Sequence, residues 1–184
     1  MKATDELKNE HEGIKLMLQV LQAVADKFKQ GEHVNTEHLD GILEFLSIFV
    51  DKCHHGKEEE FLFPALEVAG VPREGGPIGV MLNEHEQGRK LVAKLKTALA
   101  DCQSGKNADT SKVQRIIDEY VKLLTQHIAK ENTVLFPMAD DKLDSNKDTE
   151  LFEAFEQLER ERIGVGKHEE FHGLLDRLKN TYLV

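Results

Sequence analysis

The chain has 184 residues, a length that suits one domain with a sizeable core. Lys and Arg number 24 against 34 Asp and Glu, and the net charge of −10 argues against nucleic acid or an anionic membrane surface as a partner. Hydrophobic residues make up 40% and charged residues 32%, the balance of a soluble globular protein, and no window approaches the ~18 apolar residues of a membrane span.

Apolar residues recur at spacings of three and four with no sustained alternation, which predicts an all-α fold. A first helix, roughly 5 to 30, carries Leu7, Ile14, Leu18, Leu21, Ala25 and Phe28 on one stripe, and His11 takes a slot that stripe leaves. The second, roughly 36 to 62, is N-capped by Asn35 or Thr36, and its stripe of Leu39, Leu43, Leu46, Val50 and Phe61 runs through His54 and Glu58. Pro64 and the Gly/Pro-rich stretch from Ala69 to Pro77 read as a break that no helix crosses. A third helix, roughly 78 to 102, has Ile78, Met81, Val92, Leu95, Leu99 and Cys102, with His85 and Gly88 in the missing positions. After a polar loop from Gln103 to Thr110 comes a fourth, roughly 111 to 136. Val113, Ile117, Tyr120, Leu124 and Val134 form its stripe, with His127 and Glu131 in register. Four helices of this length, each ~37 Å long, predict an antiparallel up-down four-helix bundle. Two shorter helices, roughly 148 to 162 and 167 to 181, pack on it as a C-terminal extension, giving a single domain with a core over 5–137 and an extension over 138–184.

An internal repeat supplies the functional clue. Asn9-Glu10-His11-Glu12 recurs 74 residues later as Asn83-Glu84-His85-Glu86. His54-His55-Gly56-Lys57-Glu58, followed by Leu62-Phe63-Pro64, recurs 73 residues later as His127-Ile128-Ala129-Lys130-Glu131, followed by Leu135-Phe136-Pro137. The second copy selects His54 and Glu58, rather than His55 and Glu59, as counterparts of His127 and Glu131. Residues four apart share a helix face, so each His-x-x-x-Glu pair can hold one side of an ion. Two glutamates and four histidines on apolar stripes need a cation, because burial disfavours an unpaired carboxylate. Imidazole and carboxylate without thiolate suit Fe, Mn or Zn, and two carboxylates among four helices suit a bridged metal pair. Water-derived oxide or hydroxide, or an exogenous ligand, would complete the shell. His33, His38 and His55 fall off the stripes and read as solvated or helix-end residues, Glu59 and Glu60 as a solvated charge run, and Cys53 as packing. Tyr120, two turns before His127, either fills core or hydrogen-bonds near the centre.

This arrangement resembles the hemerythrin-like, or HHE cation-binding, family through His11, His54-x-x-x-Glu58, His85, His127-x-x-x-Glu131 and the two Leu-Phe-Pro segments, over residues 5 to 137. The resemblance implies two non-haem irons, with Mn or Zn as substitutes, bridged by Glu58 and Glu131. It places His11 and His54 at one metal and His85 and His127 at the other. Oxygen-carrying members have a further histidine four residues after the third-helix ligand, where this chain has Arg89.

The C-terminal segment contains His168 and His172 one turn apart, after Gly164 and Gly166; His168 is the candidate for an additional ligand or for a hydrogen bond to one of the ligands, with His172 the second choice. The same stretch fits His-Glu-x-x-His, a zinc peptidase pattern, but lies on a short terminal helix with no third ligand. A ferritin-like site needs two Glu-x-x-His pairs, and only Glu169-x-x-His172 fits that spacing. No phosphate loop, nucleotide fingerprint or nucleophile triad is present, which leaves metal chemistry. The expected function is binding or sensing of a small ligand such as O₂ or NO; the alternative is an enzyme acting on peroxide or NO, or in metal-centre repair. The N-terminus turns acidic at once and lacks the apolar stretch of a secretory signal, and two cysteines are too few for a disulfide scaffold, so a cytoplasmic location is expected. Sensory output would then pass through a protein partner or an oligomer, neither of which the sequence identifies.

Overall fold

A computed structural model describes residues 1–105 and 109–183, leaving 106–108 of the predicted polar loop outside the described residues. Among the described residues it is all-helical, with six helices. The first, α1, spans Lys2–Lys29. The second, α2, starts at Thr36–Glu44, widens into π-helical turns over Phe45–His55 and Glu58–Leu62, and continues through Phe63–Val68. The third, α3, is Pro77–Gln103, and α4 runs through Thr110–Lys130, a π-helical Glu131–Leu135 and Phe136–Lys142. Two further helices, α5 at Ser145–Arg162 and α6 at Lys167–Tyr182, complete the chain. Local chemistry explains the starts: Asn35 accepts the Glu37 N–H at 2.8 Å, and Asp144 accepts that of Lys147 at 2.8 Å.

Two boundaries differ from expectation for one reason. Pro64 does not end α2, and Pro137 does not end α4; both helices run a little over one turn past them, to Val68 and Lys142. Proline cannot donate a backbone hydrogen bond, and its ring crowds the preceding turn. Here that turn is already open. The Phe63 and Phe136 N–H groups bond five residues back, to the Glu58 and Glu131 carbonyls, and each proline then falls in the first turn of the α-helical segment that follows. The same widening rotates the side chains, so Val134 is half exposed and Leu135 takes the buried position expected of it.

α4 packs along α1 and α3, and α3 packs along α2. The seam between α1 and α2 is filled by α5 and α6, through Phe155 and Leu158 on one and Phe171, Leu175 and Leu178 on the other. The extension is tied in at its ends: Asp148 on α5 accepts the Lys2 and Ala3 N–H groups at 3.0 Å each, capping the start of α1. Gly164 and Gly166 adopt φ of 90° and 86°, which L side chains rarely adopt, and allow the reversal between α5 and α6. Buried apolar residues form two clusters, one around Ile14, Phe45 and Leu124, the other around Leu7, Phe63 and Phe136. Histidines and glutamates of four helices are buried along with them.

Candidate metal centre

The repeat places its six polar residues in one buried group. His11, His54, His85 and His127 are at most 1% exposed, and Glu58 and Glu131 are fully buried. The Nε2 atoms pair across the helices, His11 with His54 at 3.0 Å and His85 with His127 at 3.2 Å. Each glutamate spans both pairs. Glu58 presents Oε1 to His54 at 3.7 Å and Oε2 to His85 at 3.3 Å, while Glu131 presents Oε2 to His11 and Oε1 to His127 at 3.1 Å each. None of these four carboxylate oxygens has a hydrogen-bond partner among the described residues.

The opposite ring nitrogens explain why the site wants a cation. His54 Nδ1 lies 2.7 Å from Glu10, His85 Nδ1 2.7 Å from Glu59, His127 Nδ1 2.9 Å from Glu84, and His11 Nδ1 2.9 Å from the Asn132 side-chain oxygen. All four partners are acceptors, so each Nδ1 carries the hydrogen and donates it. A neutral ring so held turns the lone pair of Nε2 inward, toward a second lone pair and an anionic carboxylate. That arrangement is repulsive until a positive charge enters it, and orienting partners of this kind are what metal-binding histidines use. A proton is the simplest such charge. Burial works against a charged His127, but Glu131 and Glu84 outweigh it and push this ring up to about 9; His54 is drawn down to about 4 by burial despite Glu10. Burial, followed by the neighbouring Glu131, pushes the Glu58 carboxyl well above the ordinary range. The donors therefore fit a pair of metal ions that replaces these protons.

The outer groups also obey the repeat. Lys57 bonds Glu10 at 2.6 Å and Lys130 bonds Glu84, so each Glu-His pair is backed by a lysine one position before Glu58 or Glu131. Glu59 and Asn132 are counterparts that hold His85 and His11. Glu59 is thus an orienting group rather than part of a solvated run, and it also accepts from Arg89 at 2.6 Å. The signal for Glu10 and Glu84 was present in the repeated Asn-Glu-His-Glu, but the repeat alone did not distinguish them from a solvated face.

His55 corrects the sequence reading outright. Expected at the surface or a helix end, it is 4% exposed and lies face to face with His85, ring centroids 3.8 Å apart. It forms a possible metal-binding group with Glu58, His85 and His127, while His11, His54, Glu58 and Glu131 form another. A straight α-helical stripe left it outside; the wide turns over Phe45–His55 shift the register, so His54 faces α1 and its neighbour His55 faces α3. His168 belongs to neither group. Its Nδ1 sits 2.5 Å from Glu159 on α5, and it lines a cavity of about 300 Å³ with Glu10, Phe45 and Phe49. Cys53 is buried, and burial pushes its thiol up. Tyr120 is 3% exposed and stands beside Gly88, where a cavity of about 240 Å³ reaches His55.

Residues 2–139 match the hemerythrin HHE cation binding domain, three quarters of the chain. The chain belongs to that family. Among similar proteins of this HHE domain, an uncharacterized protein of Mycobacterium tuberculosis is 24% identical over 162 residues, covering 88% of this chain and 63% of the relative. The iron–sulfur cluster repair protein YtfE of Dickeya chrysanthemi is 30% identical over 133 residues, 70% of this chain and 60% of that protein. Its namesake in Salmonella newport is 34% identical over 106 residues, 56% of this chain and 46% of the relative. The HHE chain therefore spans less than two thirds of the length of these relatives. No solved structure matches.

Proposed function

We propose that this HHE protein is an antiparallel four-helix bundle holding two non-haem irons, and that it binds or senses a small ligand such as O₂ or NO there. The observation that carries the reading is the pair of buried glutamates, each offering one unpartnered oxygen to each histidine pair. Glu58 and Glu131 would bridge, His11 and His54 would hold one ion, and His85 and His127 the other. A redox-active metal pair supplies exchangeable electrons and a coordination position that imidazole and carboxylate alone lack. Around it, Glu10, Glu59, Glu84 and Asn132 fix the rings, while Phe136 and Phe63, stacked on His11 and His85 at 5.4 and 5.8 Å, shield them. The cavity lined by Val50, Gly88, Val92 and Tyr120 suits entry of a small apolar molecule and not a large substrate.

The names of the YtfE relatives favour a second reading, a role in repair of metal centres, in which the same ions are used or delivered. Part of the proposal is a cytoplasmic site of action, consistent with two unpaired cysteines and with the lack, among the described residues, of a helix long and apolar enough to cross a membrane.

Metal analysis with an optical spectrum, recorded before and after reduction and after exposure to O₂ and to NO, tests the reading. Two irons per chain and a spectrum that changes reversibly with one gas support it. Stoichiometric consumption of peroxide or NO would move the protein to the enzyme class, and absence of metal from protein isolated without chelator would remove the proposal altogether.

A further inference from the structure

Building on the dinuclear reading, we propose that His55 is a third histidine ligand at the His85 and His127 position, which makes the two metal positions chemically unequal. Both ring nitrogens of His55 are buried and lack a hydrogen-bond partner among the described residues; the Asp51 carboxylate stands 3.5 Å away and is engaged by Arg89 at 2.7 Å. Leaving a buried polar group unpaired costs stability, a cost that persists only with a compensating role. A donor atom of His55 already lies within 4.8 Å of donor atoms of Glu58, His85 and His127. Histidine χ2 is a broad torsion, so the ring turns from its stack on His85 toward those donors at little cost.

The repeat shows that the fold itself does not ask for histidine here. The counterpart of His55 is Ile128, which is 2% exposed and packs as an ordinary core residue. Three neighbouring positions of the motif are identical in the two halves: His54 with His127, Lys57 with Lys130, Glu58 with Glu131. Histidine where the other copy keeps isoleucine places three nitrogen donors at one position and two at the other. The cavity between α2 and α3 ends against this third ring.

Co(II) titration of the metal-free protein by calorimetry, with ⁵⁷Fe Mössbauer spectra of the anaerobically Fe(II)-loaded protein, tests the assignment. The intact chain is expected to bind two ions with separated affinities and to show two quadrupole doublets of equal area. His55→Ile, which copies the residue of the other half, is expected to keep the helical circular dichroism. Its tighter site should weaken by at least the 10–100-fold that loss of an orienting partner costs, and its doublets should converge. Two bound ions with affinities unchanged by His55→Ile would overturn the role of His55 while leaving the dinuclear centre standing. Fewer than two ions in the intact chain would overturn the dinuclear reading itself. Should His55→Ile fail to fold, the intact protein decides, since a single doublet overturns the inequality and two equal ones support it.

Discussion

Lys57 and Lys130 occupy the same place in the two copies of the repeat, yet replacing each with methionine should have very different consequences. Lys57 is fully buried. Its ammonium reaches Glu6 at 2.5 Å, Glu10 at 2.6 Å and Glu159 at 3.2 Å, and lies 5.8 Å from the centre of the Phe155 ring. Burial opposes its charge, but the carboxylates, Glu10 foremost, outweigh that and raise its pKa. Lys57→Met would leave three carboxylates facing one another around an apolar chain, and removing one partner of a buried ion pair typically costs about 3–5 kcal/mol. Lys130 is 40% exposed and, among the described residues, reaches only Glu84; an exposed pair is worth about 0–1 kcal/mol. Urea unfolding of the metal-free variants separates the two effects without interference from bound metal. With a slope of about 2 kcal/mol per molar, Lys57→Met should lower the midpoint by ~1.5–2.5 M and Lys130→Met by ~0.5 M or less. Equal midpoint shifts would refute the claim that burial by the C-terminal helices, rather than the shared motif, sets the value of these lysines.

Four further outcomes follow from the site and its surroundings. Glu58→Ala or Glu131→Ala should lower metal content below two ions per chain, whereas Glu59→Ala should keep two and weaken affinity about 10–100-fold, as loss of an orienting partner does; elemental analysis and competition with a chelator distinguish these. Metal binding at pH 7 should release a proton, because His127, raised to about 9, holds one in the metal-free protein. A weakly buffered titration with an indicator dye reads the release, and none would contradict the protonation scheme. Gly88→Ala should stabilise the fold by about 0.5–1 kcal/mol, since a Cβ there meets Leu124 and Tyr120 at an ordinary 3.8 Å; thermal unfolding checks it. The Glu159 hydrogen bond raises the pKa of His168, and the His168 bond holds Glu159 down at about 2. His168 thus contributes stability fully below its unfolded value near 6.5 and loses it as pH rises through the raised folded value. His168→Ala should therefore cost more at pH 5 than at pH 9, with metal content unchanged.

Which parts of the protein could be read from its sequence depended on whether period or wide turns governed the position. The helices and their apolar faces follow from spacing, and the six polar residues of the centre follow from the repeat, because two copies of a pattern fix a register that either copy alone leaves open. Wide turns defeat spacing arguments. Over Phe45–His55 the chain departs from the 3.6-residue period, so a stripe drawn through Val50 and His54 leaves His55 outside when it is in fact buried against His85. The orienting carboxylates were hidden differently: Glu10, Glu59 and Glu84 look like surface residues along the chain, and only contact across helices gives each an imidazole to hold.

Two departures from exact repetition, and one difference in surroundings, carry the most specific information, because each changes chemistry without changing the scaffold. Glu59 in place of Asn132 gives His85 a charged acceptor where His11 has a neutral one, and His55 in place of Ile128 adds a nitrogen on that same side. Both substitutions add donor strength toward the His85 and His127 position. Lys57 differs from Lys130 through its surroundings alone: α5 and α6 bury it and bring Glu159 and His168 up behind it, on the side of His54. One half of the centre is thus enriched in donors from within the repeat, and the other is backed by the appended helices. A helical hairpin duplicated with twofold equivalence would give two interchangeable ions. On the dinuclear reading proposed above, these particular residues would give the chain the means to tell its two metal positions apart.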